Sequence, residues 1–206
     1  MSAQPLPGLT PEQYLEIERA AEFKSEYYRG TMYPMAGYAM AGGKFAHARI
    51  SARIIILLGQ KLDAARCAIV GSDARLRVSI EGLYTYPDVM VICDRPKFTD
   101  DQEDTVLNPL LIVEVLSKST EAYDRGFKSA QYRRLESLQE YVLVSQAEPR
   151  IERYVRQPAG KWELTEFVGP DAVWRSDTLG CEVPLTEIYR SIELAPEESA
   201  GPPANP

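Results

Sequence analysis

The chain of 206 residues contains a single histidine, His47, and only three cysteines, Cys67, Cys93 and Cys181. One histidine leaves any Ser-His-Asp chemistry dependent on His47 alone, and no Gly-x-Ser-x-Gly elbow accompanies it, so a hydrolase triad is disfavoured. The cysteines are odd in number, scattered and set in apolar segments, without the close Cys/His spacing of a zinc site. They read as reduced core thiols rather than as a disulfide framework. Basic residues are outnumbered: 23 Lys and Arg against 30 Asp and Glu give a formal charge of -7. That balance argues against non-specific binding to polyanions and confines any nucleic-acid contact to a local basic patch. No apolar run reaches membrane-spanning length, and the start MSAQPLPGLT has no basic segment leading into an apolar one, so a cytoplasmic location is expected.

What is present is a carboxylate in an unexpected place. Glu114 interrupts LLIVEVLS, residues 110–117, a run apolar enough to read as a strand buried on both faces. An ionised carboxylate there must be paired, protonated or bound as a ligand. The segment YPDVMVIC, residues 86–93, repeats the arrangement, with Asp88 behind Pro87 at the mouth of a second apolar run. Two carboxylates on neighbouring core strands suit a metal ion, whereas a structural bridge from Glu114 to Arg75 or Arg77 is the competing explanation.

The remaining punctuation is that of a single domain over 9–192, with a short N-terminal tail at 1–8 and a Pro- and Ala-rich, disordered tail at 193–206. Thr10-Pro11-Glu12-Gln13 predicts a capped helix running to about Ala21. SEYYRGTMYPMAG predicts a hairpin turning at Arg29-Gly30, and residues 38–43 read as a mobile loop. Ile50, Ile54, Leu57, Leu58 and Leu62 recur at helical spacing between about Phe45 and Ala65, so this helix should cover a sheet. CAIVG and ARLRVSI read as strands, the acidic stretch 94–109 as a solvated surface connection, 121–137 as a helix and EYVLVSQ as the strand completing a crossover. IERYVRQ and WELTEFV form a last hairpin, followed by a short strand and turn.

The series SEYYRGTMYPM, His47 at a helix start, YPDVMV, LLIVEVLSKST, DRGFKSAQY and EYVLVS resembles the Uma family of endonuclease-like bacterial proteins, within the PD-(D/E)XK, restriction-endonuclease-like superfamily. The resemblance implies an α/β (α+β) fold: a restriction-endonuclease-like core with a mixed central sheet flanked by helices and additional antiparallel hairpins. It implies a divalent-metal phosphodiesterase site in which Asp88 and Glu114 hold Mg²⁺ or Mn²⁺, with the Val115 carbonyl as a further oxygen. The superfamily pattern expects a basic residue two positions after the glutamate, where this chain has Leu116. Lys128, in Asp124-x-x-x-Lys128-x-x-x-Tyr132, is the substitute that the four-residue spacing favours, and Lys118 is the weaker one. Glu26 matches the family's glutamate before the early hairpin and is counted with the catalytic group, to join the metal shell or hold Lys128. His47 reads as a helix-start residue near the site, and Tyr132 as a residue that packs or orients Lys128. Arg125, Arg133 and Arg134 are the candidate phosphate contacts. The expected function is metal-dependent cleavage of nucleic acid, DNA in the first instance, by a chain that pairs as a homodimer. The alternative is a silent binding or assembly module that kept the fold, which the acidic surface and Leu116 favour.

Overall fold

The computed structural model describes residues 4–35, 45–79 and 82–194. The glycine-alanine stretch 38–43 and most of the C-terminal tail, from residue 195 on, lie outside the described residues. In chain order the elements are β1 (Leu6–Pro7), α1 (Pro11–Ala20), β2 (Ser25–Tyr28), β3 (Thr31–Pro34), α2 (Phe45–Gly59), β4 (Cys67–Gly71), β5 (Arg75–Arg77), β6 (Leu83–Thr85), β7 (Val89–Cys93), β8 (Thr105–Val106) and β9 (Leu111–Val115). Next comes a three-part helix, α3, made of Glu121–Tyr123, a wide turn at Asp124–Lys128, and Ser129–Tyr132. β10 (Glu140–Val144), β11 (Arg150–Arg156), β12 (Trp162–Val168), β13 (Val173–Ser176), β14 (Cys181–Pro184) and α4 (Leu185–Ile188) complete it.

The central sheet has the order β12-β11-β10-β9-β7-β4, in which only β9 and β10 run parallel. Helix α3 is the crossover between those two, as the strand-helix-strand pattern requires. Period-two alternation divides the sheet's side chains between two cores. On one face Val89, Val91, Val113, Val115 and Val142 pack under Ile50, Ile54, Leu57 and Leu58 of α2. On the other, Met90, Ile92, Ile112 and Leu143 meet Leu76, Leu83, Tyr132 and Leu138. Glu114, two residues after Ile112, therefore points into the second core.

A second sheet, β1-β3-β2-β6-β5-β8, carries the early hairpin. Its turn places Arg29 at φ 46° and Gly30 at φ 85°, the left-handed pair that a two-residue hairpin loop needs. The Thr10–Gln13 capping box forms reciprocally. Leu6 and Pro7, expected in a tail, pair with β3. The acidic connection is not merely solvated: Asp100 and Asp104 both take the Arg19 guanidinium of α1, and Asp104 also takes Arg75.

One sequence expectation is overturned. Cys67 and Cys93 are joined by a disulfide, leaving Cys181 the free thiol among the described residues. They stand 26 positions apart in the chain, but β4 and β7 pair antiparallel with Cys67 directly opposite Cys93, Cα to Cα 4.0 Å. Cross-strand register, invisible in the sequence spacing, makes the pair.

Candidate active site

Asp88 and Glu114 meet where β7 begins and β9 ends. Pro87 ends the extended Tyr86 segment, and Asp88 Oδ2 then accepts the Val115 N–H at 2.7 Å, while the Asp88 N–H approaches Glu114 Oε2 at 3.4 Å. Glu114 is 3% exposed. Its Oε1 accepts from Lys128 Nζ at 3.1 Å and from the Tyr132 hydroxyl at 2.7 Å, so neither Arg75 nor Arg77 is its partner. Arg75 instead bonds Thr105 and Asp104.

Lys128 reaches the carboxylate from the wide turn of α3, where the Ser129 N–H bonds the Asp124 carbonyl five residues back. A π-type turn holds one more residue than an α-helical turn and often marks a functional site. The simple four-residue ladder predicted for this helix is thus interrupted, yet Asp124, Lys128 and Tyr132 all end up buried. The amine also lies 3.3 Å from Asp124 Oδ1 and 5.7 Å from the Tyr123 ring centroid. Leu116, where a basic residue was expected, is buried in the second core, and Lys118 is exposed beyond the strand end.

The electrostatics follow from this crowding. Burial pushes Glu114 up to about 8, opposed by the Lys128 charge and aided by Asp124 and Asp88. Burial also raises Asp124, again against Lys128. For Lys128, burial pulls the pKa down, but Glu114 and Asp124 outweigh it and hold the amine well above its ordinary value, so it is charged.

His47, on the first turn of α2, places Nε2 3.2 Å from Asp88 Oδ2. Burial would lower this imidazole, but the Asp88 hydrogen bond and charge, with the Val115 backbone alongside, raise it on balance. Glu26 stands one layer back. It accepts from Thr85 Oγ1 and from the Tyr123 hydroxyl at 2.8 Å, and acts on Lys128 through its charge. Asp124, Thr85 and Tyr123 were not singled out as site residues. Asp124 had one sequence signal, its place four before Lys128, whereas Thr85 and Tyr123 had none.

Arg125 is committed to Glu121 and Glu152. Arg133 and Arg134 are exposed past the end of α3, with the Arg133 carbonyl accepting from Arg156. Among the described residues, no three His, Cys, Asp or Glu side chains form a ready metal cage.

The Uma2 family profile, described as "Putative restriction endonuclease", matches residues 11–186. The chain belongs to this family. Two uncharacterized proteins of Synechocystis sp. are similar along most of their length. One is 37% identical over 190 residues, covering 91% of this chain and 95% of that protein. The other is 40% identical over 164 residues, covering 80% and 90%. The solved structure of "a putative nuclease belonging to DUF820" from Anabaena variabilis superimposes with a TM-score of 0.67 at 16% identity, covering 88% of this Uma2 chain and 97% of that one. The fold is therefore restriction-endonuclease-like, and Asp88 before β7, Glu114 on β9 and Lys128 on the crossover helix α3 cluster at one end of its core strands. Among the described residues no helix is long and apolar enough to cross a membrane.

Proposed function

We propose that this Uma2 protein is a divalent-metal-dependent endonuclease that hydrolyses phosphodiester bonds in nucleic acid, with DNA as its substrate and the cytoplasm as its compartment. The observation that carries the reading is the meeting of Asp88, Glu114 and a charged, buried Lys128 at one strand end. The donor set fits a hard cation. Mg²⁺ or Mn²⁺ is commonly held by one or two carboxylates, its other positions filled by waters and substrate oxygens, so a preformed cage of three acids is not needed. Asp88, Glu114 and the Val115 carbonyl would hold it, and such an ion supplies an activated water and neutralises charge on the phosphate.

The chain's own residues do the positioning. Tyr132 fixes one oxygen of Glu114, leaving Oε2 the less engaged. Lys128 presents a fixed positive charge beside the reacting phosphate, a preorganised contribution of a few kcal/mol to the transition state. Glu26, tied to Thr85 and Tyr123, acts as a positioning residue behind that amine.

Calorimetric titration of Mn²⁺ tests the reading, paired with a plasmid-nicking assay. Wild type should take up metal and nick DNA. Asp88→Ala should lose metal uptake, and Glu114→Gln should lose cleavage while melting near the wild-type temperature. Metal uptake without cleavage of any nucleic acid favours a silent module with the nuclease fold, and absence of both rejects the proposal. Homodimerisation belongs to the same reading, because one site cuts one strand, and sedimentation velocity tests it.

A further inference from the structure

Two elements lead away from the site side by side. Along β2, Glu26 belongs to the Lys128 environment and Arg29 follows three residues later at the hairpin tip. Along α3 and its exit, Lys128 is followed six residues later by Arg134. Both paths span about 10 Å, at roughly 3.3 Å per strand residue and 1.5 Å per helical residue. They end in one cleft of about 610 Å³, lined by Arg29 and Arg134 together with Thr10, Tyr27 and Ser79.

Between site and cleft lies an aromatic step. Phe127 meets Tyr28 edge-on at 4.8 Å and stacks on Tyr123 at 5.3 Å, and all three rings are partly exposed. Arg29 lies over the Tyr28 ring at 5.3 Å. Among the described residues, neither Arg29 nor Arg134 is engaged in an ion pair, unlike Arg125, which is neutralised twice. Arg29 also holds φ 46° at a position where Asn, Asp or Gly is normally preferred, so a cationic side chain is kept there against local backbone preference.

We propose that this cleft is a second phosphate subsite, which takes the backbone of an unpaired nucleic-acid strand as it runs from the site across Tyr28 and Phe127. Path lengths of about 10 Å correspond to roughly three nucleotides at the 3.4 Å rise of a stacked strand. Two guanidinium groups lining one cleft, with ring surface beside them, is the composition of single-strand grooves. Stacking on the Tyr28 and Phe127 rings needs unpaired bases, so the substrate segment is single-stranded or locally opened. The inference rests on the nuclease reading for its direction, but not for its test.

Binding of a fluorescein-labelled 12-nucleotide single strand is measured by anisotropy in EDTA, so that metal plays no part. Arg134→Ala and Arg29→Gly should each weaken binding about tenfold and reduce the slope of log K against log salt by about 0.7, the share of one phosphate contact on a single strand. Glycine suits the positive φ at position 29, so that variant folds, and melting curves check both. Arg175→Ala, an exposed arginine paired with Glu182 outside the cleft, should change neither quantity. Unchanged affinity and slope in both cleft variants, or equal loss in Arg175→Ala, overturns the subsite. Preference for a blunt duplex over the single strand overturns the unpaired-strand assignment. Strand binding by a protein that takes up no Mn²⁺ leaves the cleft standing while the nuclease reading fails. Metal uptake and cleavage that ignore both arginines do the reverse.

Discussion

Lys128 and Glu114 form an ion pair sealed from solvent, with Nζ 3.1 Å from Oε1 and the two residues 7% and 3% exposed. A pair this deep is a poor source of stability in its own right, because desolvation offsets most of the attraction, but removing the amine strands two carboxylates, whereas neutralising Glu114 leaves the amine paired with Asp124. The amine faces Asp124 as well, so three charged groups depend on one another.

Lys128→Ala should therefore destabilise the metal-free protein by about 3–5 kcal/mol, the usual cost of leaving a buried charge without its partner. Mn²⁺ should then raise the melting temperature of the variant more than that of wild type, since the ion replaces the missing positive charge. Turnover should fall far more than metal affinity, whereas Lys118→Ala should do little. Equal metal-induced shifts in wild type and Lys128→Ala, read by calorimetry, would contradict this.

Metal affinity should rise with pH. Burial raises Glu114 against the opposing Lys128 charge, so the protonated fraction of its carboxyl must lose its proton before a cation binds and affinity should climb with pH between about 6 and 8. Titrations of Mn²⁺ at pH 6, 7 and 8 measure the slope. A flat profile would mean that Glu114 is ionised before metal arrives.

Asp104 contributes stability that acid removes. The Arg19 hydrogen bond, with Thr105 and Arg75, holds its carboxyl down at about 2, below the ordinary aspartate value near 3.9. A depressed folded-state pKa gives stability that is fully present above about pH 4 and is lost as pH falls toward 2. Because Asp104 is partly exposed, solvent screening limits the contribution to about 1 kcal/mol. Arg19→Ala should remove most of that pH dependence in urea melts recorded between pH 2 and pH 5.

The Cys67–Cys93 bond closes a loop that contains Arg75, Thr85 and Asp88. For a loop of this length the chain-entropy account gives about 3.5 kcal/mol. Cys93→Ser should lose about 2–4 kcal/mol, and dithiothreitol should shift wild type toward the variant without altering the variant itself. Identical urea midpoints for oxidised and reduced wild type would show that the bond adds nothing.

Asp88 and Glu114 were legible in the sequence because each breaks an apolar run, and burial of a carboxylate needs a reason that single residues already reveal. The α1 cap and the α2 stripe were legible for the same kind of reason, since hydrogen-bond closure and helical period act within a few residues. The rest depends on register between distant strands. No local pattern puts Cys67 opposite Cys93, brings Thr85 and Tyr123 to Glu26, or folds Asp100 and Asp104 onto Arg19. Periodicity also placed Lys128 on a regular helix, because one surplus residue in a turn leaves the apolar spacing almost unchanged.

That surplus residue makes chain length a determinant of the chemistry. Between Thr120 and Tyr132, substitutions at exposed points such as Gly126, where an added methyl meets nothing within 4 Å, leave the backbone path alone. Deleting Gly126 is different in kind: it removes the surplus residue, so the wide turn closes as an ordinary α-helical one, the flanking turns keep their register, and Lys128 comes to lie three residues after Asp124 instead of four. A loop would absorb a missing residue as slack, whereas this helix takes it up as the difference between a wide turn and a regular one.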